Sequence, residues 1–274
     1  MWSDGKRVAV TLSFDFDAEA LWFETFRMNT PTPLSRGEYG ARVGIHRVLA
    51  LLDKYGIPAT FFIPAWTAEH HTEECREVAR RGHEIAYHSH HHESVVGMRM
   101  EIERELMTHS LEVLERLAGQ RPVGNRSVPF DLGRNTPHLL REFGFVYDSS
   151  LMGADDPYWL PIDGKDSEIV ELPVAWELDD APFFIFNFFP YMPGLWSPDH
   201  VFDIWRQEFD GAYREGGLFL LTMHPEIIGH RARIAMLERL IQYIDQHEGV
   251  WWARHIDVAL DWKKRHEQPA QAAS

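Results

Sequence analysis

Short runs rich in β-branched and aromatic residues alternate along this chain with stretches of helical periodicity, and that alternation admits few architectures. Residues 8–16, 59–64, 83–88, 169–174 and 218–223 read as strands. Between Val43 and Tyr55 the apolar residues Val43, Ile45, Val48, Leu49, Leu51, Leu52 and Tyr55 recur at three- and four-residue spacing, until Gly56 and Pro58 stop the helix. Further helices are expected over 72–81, 97–118, 136–143, 198–214 and 231–247. Strands separated by helices of this length predict parallel pairing with crossover connections, an α/β fold. No internal repeat, linker or charge block interrupts the pattern, so residues 1–274 are expected to form one domain.

Composition narrows the classes of partner. The 27 Lys and Arg against 42 Asp and Glu leave a formal charge of -15, which repels nucleic acid and anionic lipid. Cys75 is the only cysteine, which excludes an intrachain disulfide. The N-terminus enters a strand pattern rather than a basic, then apolar, leader, and no segment reaches the ~20 apolar residues of a membrane helix. A cytoplasmic location is the expectation. Residues 183–196, FFIFNFFPYMPGLW, are dense in aromatics but broken by prolines, and fit core, pocket wall or subunit contact.

Three strand ends carry the chemistry. The first strand closes on SFDFDAE, where Asp15 and Asp17 share a face of an extended chain, with Glu19 two residues on. Carboxylates placed together repel unless a cation or proton lies between them. The strand over 83–88 runs into His88–Ser89–His90–His91–His92. On a helical turn His88 and His92 face the same way and can chelate a divalent ion, a carboxylate completing the set and leaving a position for water. His90 and His91 point elsewhere on such a turn. The strand Leu218–Met223 delivers His224, and α/β folds bind ligands at strand C-termini.

With these residues in place, the sequence resembles the NodB-type polysaccharide deacetylases of carbohydrate esterase family 4. SFDFDAE is similar to the first motif of that family, His88 to His92 to its H-[ST]-x-x-H motif, and LLTMHP to its closing leucine–histidine motif. RGEYGARVGIHRVLALLDKYGIPATFFIP, FGFVYDSSL, ELPVAWELDDAP and HEGVWWARHIDVA are similar to a subgroup of peptidoglycan-deacetylase-like proteins, itself related to cyclic imide hydrolases and a metal-independent allantoinase. The resemblance implies a distorted (β/α) barrel with its site at the strand C-termini. It implies that Asp17, His88 and His92 hold Zn²⁺ or another divalent metal, that Asp15 is the general base and that His224 is the general acid. Phe16 separates two aspartates that many members have adjacent, so the roles of Asp15 and Asp17 can be exchanged. Arg126, in NRSVPFD, matches the arginine motif of the family loosely, as a substrate or Asp15 contact. Trp176 and Asp180 are the candidates for the aromatic wall and for the acid near the histidine, and with Arg126 they are the expected substrate-binding residues.

The implied activity is metal-dependent hydrolysis of non-peptide carbon–nitrogen bonds in an N-acetylated amino sugar polymer of the peptidoglycan or chitin type. With no leader evident, a small intracellular cyclic imide or ureide is the alternative substrate. A non-catalytic metal- or carbohydrate-binding protein is the minor alternative, disfavoured because a pure binder needs neither Asp15 nor His224. The resemblance also implies a homo-oligomer, and the net charge argues against a nucleic acid or membrane partner.

Overall fold

In the computed structural model, which describes residues 2–266, eleven strands are present among those residues. They are β1 (Val8–Asp15), β2 (Thr60–Ile63), β3 (Glu84–Tyr87), β4 (Gly124–Asn125), β5 (Tyr147–Asp148), β6 (Tyr158–Ile162), β7 (Lys165–Glu171), β8 (Phe186–Asn187), β9 (Met192–Pro193), β10 (Leu218–Met223) and β11 (Val250–Trp252). Nine of them make one sheet in the order β10-β1-β2-β3-β4-β5-β7-β6, with β11 pairing the first three residues of β1. Every pairing in it is parallel except that of β6 with β7. The sheet curls but β10 and β6 do not meet, so the barrel is incomplete, the distorted (β/α) barrel expected.

All eight residues of β1 are buried. Val8, Val10, Leu12 and Phe14 point outward into the main core beneath the helices, and Ala9 belongs to a second core inside the curl. With a side-chain period of two, Thr11, Ser13 and Asp15 share the inner face with Ala9. The helix His255–His266 closes this inner side with Val258, Ala259 and Trp262. Polar residues of the inner face thus rise from an apolar floor toward the C-terminal rim, where β1, β3, β4 and β10 release Asp17, His88, Arg126 and His224.

The helix predicted from Val43 is Ile45–Tyr55, preceded by a π-helical turn Gly40–Gly44 and ended by Gly56 at φ 64. Gly44 has a packing role: a Cβ there would lie 2.0 Å from the carbonyl oxygen of Pro225, the residue after His224. The other expected helices appear as Thr72–Arg80, Met100–Ala118, Thr136–Phe143, Pro198–Glu215 and Arg231–Ile244. The strand expected over 169–174 lies instead at Lys165–Glu171, because its exposed first half pairs with β6 and carries no apolar alternation. Residues 183–196 split. Phe183, Phe184 and Ile185 are buried, the β8–β9 hairpin projects, and Phe188, Phe189, Tyr191, Leu195 and Trp196 are exposed. Cys75 is buried in the main core. Among the described residues no helix is long and apolar enough to cross a membrane.

Candidate active site

The chain beyond β1 makes one more ladder bond, from the Phe16 N–H to the Phe62 carbonyl at 2.9 Å, and then turns sharply at Ala18, whose φ is 53. Thr67 Oγ1 donates to the Asp17 carbonyl at 2.8 Å and holds the turn. Asp15 therefore ends the strand while Asp17 lies past it, fully buried. Glu19 turns away to pair with His71 at 2.7 Å.

The histidine segment is not the helical turn expected. Ser89 and His92 adopt left-handed φ values of 66 and 69, and the Glu93 carboxylate accepts the N–H groups of His90 and His91. The left-handed residues exclude a helix, and the Glu93 carboxylate satisfies backbone donors that the loop leaves without a carbonyl. The rings of His88 and His92 nevertheless converge, with centroids 5.1 Å apart.

Hydrogen bonds set the tautomers. His88 Nδ1 lies 2.7 Å from the Arg126 carbonyl, which can only accept, so Nδ1 carries the proton and Nε2 presents a lone pair. Thr25 Oγ1 donates to the His92 carbonyl at 3.2 Å, so it accepts from His92 Nδ1 at 2.6 Å, and His92 Nε2 is likewise free. Both Nε2 atoms face Asp17, at 3.6 Å for His88 and 3.1 Å for His92. Neither Asp17 oxygen has a hydrogen-bond partner, although both are buried. Burial pushes His88 down, against the pull of Asp15 and Asp17. Lone pairs facing a carboxylate with no donor between them are the donor set of a cation, and one oxygen with two imidazole nitrogens suits zinc.

His224 differs. Its Nδ1 donates to Asp180 Oδ1 at 2.7 Å, and its backbone N–H donates to Asp180 Oδ2 at 3.1 Å. Burial acts to lower its pKa, but Asp180, Asp179 and Asp17 reverse this and hold it well above the ordinary value. Its Nε2 points toward the site, 3.8 Å from Asp17 Oδ2. Asp15 is gripped from behind. Arg126 Nη1 donates to Asp15 Oδ1 at 2.6 Å and to Ser13 Oγ at 3.0 Å, while its other nitrogens reach Ser149 and His255.

These groups open onto a cavity of about 510 Å³. Asp15, His88, His92, Asp179 and His224 lie at its base, and Phe26, Phe130, Trp176, Ile185 and Met192 are among its walls. Trp176 packs on Phe130 with centroids 4.9 Å apart. Arg126, expected as a substrate or Asp15 contact, is wholly buried and donates to Asp15, and Asp180, expected as the acid near the histidine, is wholly buried and accepts from His224; neither lines the cavity, so of the expected substrate-binding residues only Trp176 does. Three members of the site escaped the sequence. Thr25 and Ser149 meet their partners only through the fold, whereas Asp179, at the cavity base with a pKa raised to about 7 by burial, was signalled by its adjacency to Asp180.

The polysaccharide deacetylase family model matches residues 38–147. A peptidoglycan deacetylase of Helicobacter pylori is 32% identical over 287 residues, covering 95% of this chain and 98% of the relative. The chain belongs to the polysaccharide deacetylase family. It is thus a hydrolase of the class acting on carbon–nitrogen bonds. A crystal structure from Mycobacterium smegmatis, assigned by name to the polysaccharide deacetylases, superposes with a TM-score of 0.90 at 39% identity, covering 98% of this chain and 94% of the other. The crystal structure of PuuE allantoinase superposes with a TM-score of 0.83 at 28% identity, with coverages of 98% and 94%. The polysaccharide deacetylase fold is common to these matches.

Proposed function

We propose that this deacetylase removes the acetyl group from an N-acetylated amino sugar of a peptidoglycan-type polymer, using a divalent cation, zinc by its donor set, held by Asp17, His88 and His92. The observation that carries the proposal is the buried Asp17 carboxylate, without a hydrogen-bond partner and faced by two imidazole lone pairs. The likeness to the H. pylori relative along nearly its whole length supports the substrate class. When bound, the cation supplies Lewis acidity for the amide carbonyl and its attacking water.

The protein groups do the rest. Asp15, oriented by Arg126, takes a proton from the water as its oxygen bonds to the acetyl carbon. His224 gives its Nε2 proton to the sugar nitrogen as the carbon–nitrogen bond breaks, releasing amine and acetate. Asp180 keeps the ring oriented and charged. Trp176 and Phe130 form the wall against which a sugar face stacks. A sheet that runs from β1 to β11 supports residues 1–274 as one catalytic domain. The exposed aromatics of the β8–β9 region support a homo-oligomer, which sedimentation would test.

One observation favours a second substrate class. The cavity walls are mainly apolar, and Lys and Arg are absent from the lining, which suits a small cyclic imide or ureide. The test is metal content by elemental analysis, then hydrolysis of a chitooligosaccharide beside succinimide. Stoichiometric zinc with acetate release supports the deacetylase; ring opening without acetate release moves the protein to the second class. A metal-free, fully active enzyme removes the assignment of Asp17, His88 and His92.

A further inference from the structure

We propose that Glu69, His90 and His109 form a second divalent-cation site, on the outer surface and separate from the buried Asp17, His88 and His92 set. The three residues come from the helix Ala65–His70, the loop after β3 and the helix Met100–Ala118. One ligand atom from each lies within 4.8 Å of the other two, and His109 Nε2 is 3.9 Å from Glu69 Oε1.

His90 is the fixed member. Its ring is almost fully buried, and Ser110 Oγ lies 3.3 Å from its Nδ1. That hydroxyl donates its one proton to the Leu106 carbonyl at 2.7 Å, so it accepts from Nδ1–H and leaves the Nε2 lone pair of His90 free. A ligating histidine anchored through its other nitrogen is the usual arrangement in metal sites. The other two members are adjustable, since the side chains of Glu69 and His109 are 40% and 54% exposed. Tetrahedral zinc with bonds of about 2.0 Å sets its ligands roughly 3.3 Å apart, so the set must contract by up to about 1.5 Å, within the reach of two solvent-facing rotamers. Two nitrogens and one oxygen again suit zinc, with the fourth position open to water.

The site has a mechanical consequence. The loop that carries His88 and His92 is tied to the helix Ala65–His70 by the Ala65 N–H to the Ser89 carbonyl at 3.3 Å and by the Trp66 N–H to the His90 carbonyl at 2.9 Å. A cation on Glu69, His90 and His109 adds a link from that loop to the long helix Met100–Ala118 and so braces the turn behind the buried histidines.

The test is a zinc titration of the full, chelator-stripped chain, followed by calorimetry and by the ring signals of ¹⁵N-labelled histidine. His88→Ala removes a ligand of the buried set and isolates the surface site. It is expected to bind one equivalent with His90 and His109 shifting together, and adding His109→Ala or Glu69→Gln is expected to weaken that binding at least about tenfold. Both added changes are at exposed positions and are expected to leave the circular dichroism spectrum unchanged. Zinc that leaves the His90 and His109 signals of His88→Ala unmoved, or binding indifferent to His109→Ala and Glu69→Gln, overturns the proposal. A wild-type chain that takes one equivalent, lost in His109→Ala but kept in His88→Ala, supports the surface site and defeats the buried one.

Discussion

Arg126 Nη1 and Asp15 Oδ1 meet at 2.6 Å, with no exposure of the arginine side chain and 4% of the aspartate. The guanidinium also lies 4.0 Å over the Phe62 ring and donates to Ser13, Ser149 and His255. Replacing it strands a buried carboxylate. Arg126→Met is expected to lower stability by about 3–5 kcal/mol, measured by urea denaturation, and to reduce turnover even in the folded fraction. A variant as stable as wild type would show that the pair is dispensable.

Asp15→Asn and His88→Ala separate proton transfer from metal retention. The first is expected to lower kcat by about 10²–10⁴ with bound metal unchanged; the second loses metal and activity together. Elemental analysis beside single-turnover kinetics distinguishes them, and wild-type turnover in Asp15→Asn would remove it as the base.

His224→Ala is expected to slow amide substrates more than activated esters, since a good leaving group needs little protonation. Asp180→Asn should give the same pattern in weaker form, because asparagine is uncharged and has one acceptor oxygen for the two His224 N–H groups that Asp180 accepts. Equal losses on both substrate types would contradict the role of the histidine as acid.

Gly44→Ala places a methyl 2.0 Å from the Pro225 carbonyl oxygen, a backbone atom that cannot swing aside. The expected cost is about 1–3 kcal/mol of stability, with reduced activity because Pro225 follows His224. Thermal unfolding checks the first and kinetics the second.

His83 links stability to pH. Burial pushes its pKa from 6.5 down to about 4, opposed by Asp53 and aided by Arg81 and Arg254, while Nδ1 accepts the Ala59 N–H at 3.2 Å. Because the folded value is depressed, the contribution is present above pH 6.5 and lost as pH falls toward 4, where the unfolded chain binds more protons. The loss is on the order of 2 kcal/mol after allowance for solvent screening. His83→Gln keeps an acceptor but cannot titrate, so its stability should fall less than that of wild type between pH 6.5 and 4; parallel curves would exclude His83.

Periodicity made the helices at Thr136–Phe143 and Thr72–Arg80 and the strand Leu218–Met223 readable, because each pairs an apolar face with clear stop signals. β4 and β5, two residues each, carry no period at all and exist only because neighbouring strands pair with them. The helix His255–His266 was hidden for a related reason: its inward residues fill a barrel interior that no local pattern announces.

Residue types and spacing by themselves determined which side chains this chain offers for chemistry, since Asp15, Asp17, His88, His92 and His224 all sit at the ends of strands visible in the sequence. Tertiary structure alone decided how they divide the work. The Arg126 carbonyl and Thr25 choose the tautomers of His88 and His92, Asp180 orients His224, and the Arg126 guanidinium holds one oxygen of Asp15. Each of those partners is distant in sequence or buried behind the cavity, and a hydrogen bond that selects a proton position depends on a few tenths of an ångström that only packing sets.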